Sequence, residues 1–145
     1  MITQTSNELL PINIYSGLLE TNIEFMAYQC QDADNTNPGY VLQHNSLKQY
    51  MLRYQFDRAK ENMPVDISYK SIECSLSHSV VDCSIEFQGY KVTETGEACV
   101  ATLNSTIAKN YPYIEAQTRA YDRAVISFLQ LNINGKRIYS DTELA

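Results

Sequence analysis

The sequence predicts an α+β fold in which an antiparallel sheet of three to four strands packs on a long C-terminal helix, after an N-terminal extension. Three patterns predict it. Ile114, Thr118, Tyr121, Val125 and Phe128 recur at spacings of four, three, four and three, one stripe of a helix running from about 112 to 131. Val65, Ile67, Tyr69, Ile72, Cys74 and Leu76, then Val81, Cys83, Ile85 and Phe87, follow the shorter period of strands. Ahead of them Leu47, Tyr50, Met51 and Tyr54 form the inward stripe of a first helix. The order is helix, three strands, helix.

In chain order, Leu9 to Leu19 and Ile23 to Tyr28 are two apolar patches separated by Gly17 and Glu20-Thr21-Asn22; strand–turn–strand and a short helix both fit. Asp32, Asp34, Asn35, Asn37, Pro38 and Gly39 mark residues 31–45 as a loop. Asp32-x-Asp34-x-Thr36 lacks the glycine offset and the twelfth-position glutamate of a calcium loop. Ser46 is the expected cap of the first helix, which Pro64 closes. Thr93-Glu94-Thr95-Gly96-Glu97 reads as the turn of a hairpin whose strands lie near 80–92 and 97–105. Asn110-Tyr111-Pro112 caps the second helix, and Ala116, Ala120 and Ala124 let a neighbouring element approach it closely. Asn134-Gly135 opens a tail, 132–145, that either adds a small strand or extends over a neighbouring subunit.

One domain is expected from 145 residues, 44% of them hydrophobic: an extension and loop over 1–45, a core over 46–131 and the tail. No apolar run approaches the roughly 18 to 20 residues of a membrane span, and residues 1–8 do not resemble a secretory signal. A cytoplasmic protein with no membrane partner is expected, with Cys30, Cys74, Cys83 and Cys99 as buried reduced thiols. Cys74, His78 and Cys83 do not have zinc-ligand spacing, so no metal is expected. With two histidines, no P-loop, no nucleophile elbow and no paired carboxylates on one element, neither a cofactor nor catalysis is expected.

The net charge is −6, and it is uneven: residues 1–87 hold five Lys/Arg against eleven Asp/Glu, whereas residues 88–145 hold six of each. A phosphate-binding surface is therefore sought in the C-terminal part. Arg119 and Arg123 lie one turn apart on the second helix, with Glu115 four residues before Arg119. Lys109 and Lys91 would extend the positive track, and Tyr90, Tyr111 and Tyr113 lie where bases could stack.

Tyr113-Ile114-Glu115-Ala116-x-Thr118-x-Ala120-x-x-Arg123-Ala124-Val125, after strands and a Ser/Thr-rich stretch at 101–106, resembles the helix of Sak/Erf-like single-strand annealing proteins of phage recombination. Arg123-Ala124-Val125-Ile126-Ser127-Phe128 is similar to the equivalent run of the eukaryotic annealing protein. The resemblance covers about residues 65–131. It implies an αβββα core, ring or filament homo-oligomers, a recombination protein of phage or host as partner, and single-stranded DNA held by its backbone between the 112–131 helix and the 80–105 hairpin. Arg123, Arg119, Lys109, Lys91, Tyr113 and Tyr90 would be the contacts, in a bacterial or phage-infected cell. The chain departs from that family at Asp122, where a basic or neutral residue is common, and at Ile126, where another basic residue is frequent. Two other classes compete. The acidic residues of 1–87 could mimic phosphate and inhibit a host nucleic-acid enzyme. A double-stranded-RNA-binding domain shares the element order but needs a lysine cluster where this chain has Lys109 alone.

Overall fold

Side chains of residues 10–16 alternate between burial and exposure, ending on the buried Ile14 and Ser16, and those of 21–32 bury Ile23, Phe25, Ala27 and Cys30. Both are therefore strands with one face in a core. The computed structural model, which describes residues 2–34, 38–100 and 111–144, pairs them as β2 (Leu10–Ser16) and β3 (Thr21–Asp32), in register from Leu10 opposite Ala27 to Ser16 opposite Thr21. β1 (Ile2–Gln4) pairs with the far end of β3. β4 (Tyr40–Leu42) lies antiparallel to β3. β8 (Leu131–Ile133) joins β2, β9 (Lys136–Arg137) joins β8, and β10 (Tyr139–Ser140) runs parallel to β4. These form one seven-stranded mixed sheet, in the order β10-β4-β3-β2-β8-β9 with β1 also on β3.

The expected architecture is thereby corrected. Residues 1–45 are no extension: with the tail, which adds short strands as one of its two expected readings had it, they build the larger of the two sheets among the described residues. The smaller is antiparallel, β5 (Asp66–Cys74), β6 (His78–Phe87) and β7 (Tyr90–Cys99). The hairpin turn is also elsewhere than expected. Gln88 and Gly89, at φ of 49° and 82°, connect β6 to β7, as the twist of a two-residue hairpin demands. Thr93–Glu97 lie inside β7. The expected second hairpin strand falls partly on residues 101–105, outside the described residues.

Two helices complete the fold among the described residues. α1 spans His44–Lys60 and buries Leu47, Met51 and Tyr54. Ser46 is not its cap, because its Oγ accepts the Met26 N–H at 3.0 Å and ties the first turn to β3. α2 spans Pro112–Leu129, with Pro112 in its first turn and Gln130 closing it in a left-handed conformation. The expected stripe of α2 is buried at Tyr121, Val125 and Phe128, whereas Ile114 is 55% exposed. Ala120, Ala124, Val125, Phe128 and Leu129 share one core with Ile14, Ile23, Phe25 and Leu42 of the larger sheet, Cys83 and Ile85 of the smaller, and Leu47 and Met51 of α1.

α2 and β7 approach very closely at Gly96. A side-chain carbon on Gly96 would run into the Ala120 amide nitrogen and the Ala116 carbonyl oxygen, and would lie 2.9 Å from the Ala120 Cα. The alanines do admit a neighbour, and that neighbour is a glycine in mid-strand.

Among the described residues no helix is long and apolar enough to cross a membrane. Cys30 and Cys83 are buried, but Cys74 is exposed and Cys99 lies between these extremes, so the thiols are not uniformly buried as expected. Phe25 is 1% exposed, and Phe25→Ala should cost about 4 kcal/mol of unfolding free energy in a urea titration. An unchanged midpoint would mean that β3 is an appendage after all.

Candidate functional site

The two arginines of α2 are committed within the chain. Arg119 donates from Nε to the Thr142 carbonyl and from Nη1 to the Glu97 carbonyl, each at 2.9 Å. Its donors thus reach backbone oxygens of other elements. Arg123 forks onto Glu143 through Nε and Nη2, at 2.5 and 2.8 Å, and donates from Nη1 to the Thr95 carbonyl at 2.6 Å. Hydrogen bonding to Glu143 is the main cause that raises the Arg123 pKa further above its ordinary value. Both arginines staple α2 to β7 on one side and to the 3-10 turn Asp141–Glu143 on the other.

The other expected contacts do not gather around them. Lys91 is exposed and opposite Glu86 in the β6–β7 pair. Lys109 lies outside the described residues. The Tyr90 ring stacks on Phe128 with centroids 5.3 Å apart, and its hydroxyl donates to the Phe128 carbonyl at 3.1 Å. Tyr113 packs beside Val81, Ala98 and Ala116, its hydroxyl accepting from Ser71 Oγ at 3.1 Å. Tyr111 is 57% exposed at the start of α2. The hairpin itself lies directly on α2 at Gly96.

A cleft of about 400 Å³ opens instead between α1, β5 and α2. It exists because α2 lies over β6 and β7 and reaches β5 at Ser71 but not at Tyr69; every residue of β5 except Ile67 is exposed. His44, Lys48, Leu52 and Gln55 of α1 form one wall, Gln117, Thr118 and Tyr121 of α2 the other, and Ile67 and Tyr69 of β5 the floor. Leu52 and Tyr69 are 52% and 40% exposed, so the cleft offers apolar and aromatic surface as well as polar groups.

At one end sits a buried acid. Asp122 is fully buried on α2. Its Oδ1 lies 2.7 Å from His44 Nδ1, and its Oδ2 accepts the Thr142 hydroxyl at 3.3 Å. Asp141 accepts the backbone N–H of His44 at 3.0 Å, so both residues anchor the start of α1 to α2 and the C-terminal turn. The Asp122 hydrogen bond is the largest influence on His44 and raises its pKa. Burial opposes the rise, the charges of Asp122 and Asp141 reinforce it, and Lys48 lowers it. With Nδ1 committed to Asp122, Nε2 is the nitrogen left to meet a ligand, and in the imidazolium it is a donor. On the floor, burial pushes the Tyr69 hydroxyl up to about 12, and beneath it burial pushes the thiol of Cys83, its hydrogen-bond partner, also to about 12. Both stay protonated at neutral pH.

No family model, curated protein or solved structure matches the chain. What it does must be argued from the cleft.

His44 and Asp122 are functional candidates that sequence reasoning did not single out. Asp122 carried a signal: it falls three residues before Val125 and seven before Leu129, a carboxylate on the packed side of a helix, where charge is found only when it is paired. His44, 78 residues upstream, offered none beyond its rarity in the chain.

Two outcomes follow from this pair. Asp122→Ala, which strips His44 and the Thr142 hydroxyl of their shared acceptor, should cost about 3 kcal/mol in urea unfolding. Because the His44 pKa is raised in the folded state, its contribution to stability is full below the ordinary histidine value of about 6.5 and is lost as pH rises through the folded value. The urea midpoint of the native chain should therefore fall over that rise, and His44→Gln should remove that part of the fall. Identical pH profiles for the two would show that the pair contributes no linkage.

Proposed function

We propose that this protein is a binding domain that takes an anionic group carried on an apolar or aromatic body in the cleft between α1, β5 and α2. The observation that carries the reading is the fixed His44, held at Nδ1 by the buried Asp122, with Lys48 one turn further along the same wall. An ammonium and an imidazolium N–H on one wall favour a carboxylate or phosphate. Leu52, Ile67 and Tyr69 supply the surface against which the body of the ligand packs. Asp122 and Asp141 neutralise part of the positive charge, so the ligand gains from hydrogen bonding at two points more than from a broad positive field. Catalysis is not part of this proposal. A DNA phosphate is one such anion, and single-stranded DNA would engage Lys48 and His44 here in preference to Arg119 and Arg123, whose side chains are held by Thr95, Glu97, Thr142 and Glu143.

Amide chemical shifts of the labelled protein, titrated with phenyl phosphate at about pH 6, test the reading. Saturable shifts should cluster at His44, Lys48, Leu52 and Thr118. Lys48→Met should weaken them roughly tenfold, the loss of one charge-assisted contact. Binding should weaken as His44 deprotonates. A parallel titration with oligothymidylate that moves the same amides would identify the anion as a DNA phosphate. Absence of saturable shifts, or indifference to Lys48→Met, sinks the proposal.

A further inference from the structure

The three-stranded sheet has two edges, and they are treated differently. On β7, the Thr95 and Glu97 carbonyls accept from Arg123 and Arg119. On β5, no described element pairs with the side facing away from β6, and the strand is nine residues long and almost wholly exposed. A long bare edge carrying Tyr69, Ile72 and the adjoining Leu76, 40%, 53% and 95% exposed, is a template for pairing.

We infer that β5 pairs antiparallel with the β5 of a second copy of this chain, about a two-fold axis between Ser71 and Ile72. The argument is charge complementarity in register. Lys70 stands opposite Asp82 and Glu73 opposite Val80, because the bulge between Ser71 and Glu73 absorbs one residue. Asp82 and Val80 are two apart on β6, so Lys70 and Glu73 share the outer, solvated face of the sheet. Centred between Ser71 and Ile72, the pairing sets each Lys70 opposite the partner's Glu73, and the symmetry makes the ion pair twice. The same register sets Tyr69 opposite the partner's Cys74 on the other face and draws Ile72 and Leu76 towards the interface. Glu73 approaches His78 Nδ1 through Oε2 at 3.1 Å, and its other oxygen remains for a lysine. Asp82, the in-chain neighbour of Lys70, already accepts the Thr95 hydroxyl at 2.5 Å. This inference does not depend on what the cleft binds.

Sedimentation equilibrium of the full chain up to about 0.5 mM decides it, with circular dichroism to verify that each variant folds. The native chain should form dimers. Lys70→Glu, which sets two glutamates against each other at both ends, should weaken dimerisation at least roughly tenfold. The exchange Lys70→Glu with Glu73→Lys should restore it. A native chain that stays monomeric, a Lys70→Glu variant that dimerises as well as the native one, or an exchange that fails to recover the dimer would each overturn the inference.

Discussion

The contact of α2 with β7 at Gly96 is the constraint on which the rest of the structure depends. Gly96 meets the backbone of Ala116 and Ala120, and the two residues flanking it, Thr95 and Glu97, offer their carbonyls to Arg123 and Arg119. Steric admission and hydrogen bonding thus act on three successive residues of one strand. The arginines reach past the strand to Glu143 and to the Thr142 carbonyl, so the same two side chains also bring the C-terminal turn onto α2. Through β10, which precedes that turn and pairs with β4, the larger sheet is fixed to the helix as well.

Two consequences reach the cleft. With α2 seated close over β7 and β6, β5 is left open around Ile67 and Tyr69, and α1 forms the far wall of that space. The C-terminal turn also delivers Thr142 to Asp122 and Asp141 to the first amide of α1. Asp122 could not be buried unpaired, and His44 together with the Thr142 hydroxyl is what makes its burial tolerable. The imidazole at the rim of the cleft is therefore oriented by packing elsewhere.

Much of the local structure was legible in the sequence, and the architecture was not. α1 and α2 announced themselves by period, and β5 and β6 by alternation, since each has one polar and one apolar side. β7 was misread for a physical reason. Its outward residues, Thr93, Thr95 and Glu97, are polar as a solvated face should be, and the inward residue between the last two is Gly96, whose missing side chain erases the alternation and imitates a turn. The larger sheet was missed because its added strands are two or three residues long and two of them find partners far along the chain, Leu131 opposite Ser16 and Tyr139 opposite Val41. The partners of the arginines were not legible because they lie on other elements: Glu143, which takes Arg123, is 20 residues further along the chain, and Arg119 donates to the Glu97 and Thr142 carbonyls.

Unfolding of Gly96→Ala in urea tests the central claim most directly. A single methyl group at this position meets helix backbone, which cannot rotate aside, so the variant should lose about 3 kcal/mol or fail to fold. Unfolding at the native urea concentration with an unchanged slope would contradict the account, because β7 would then not be held against α2 as described.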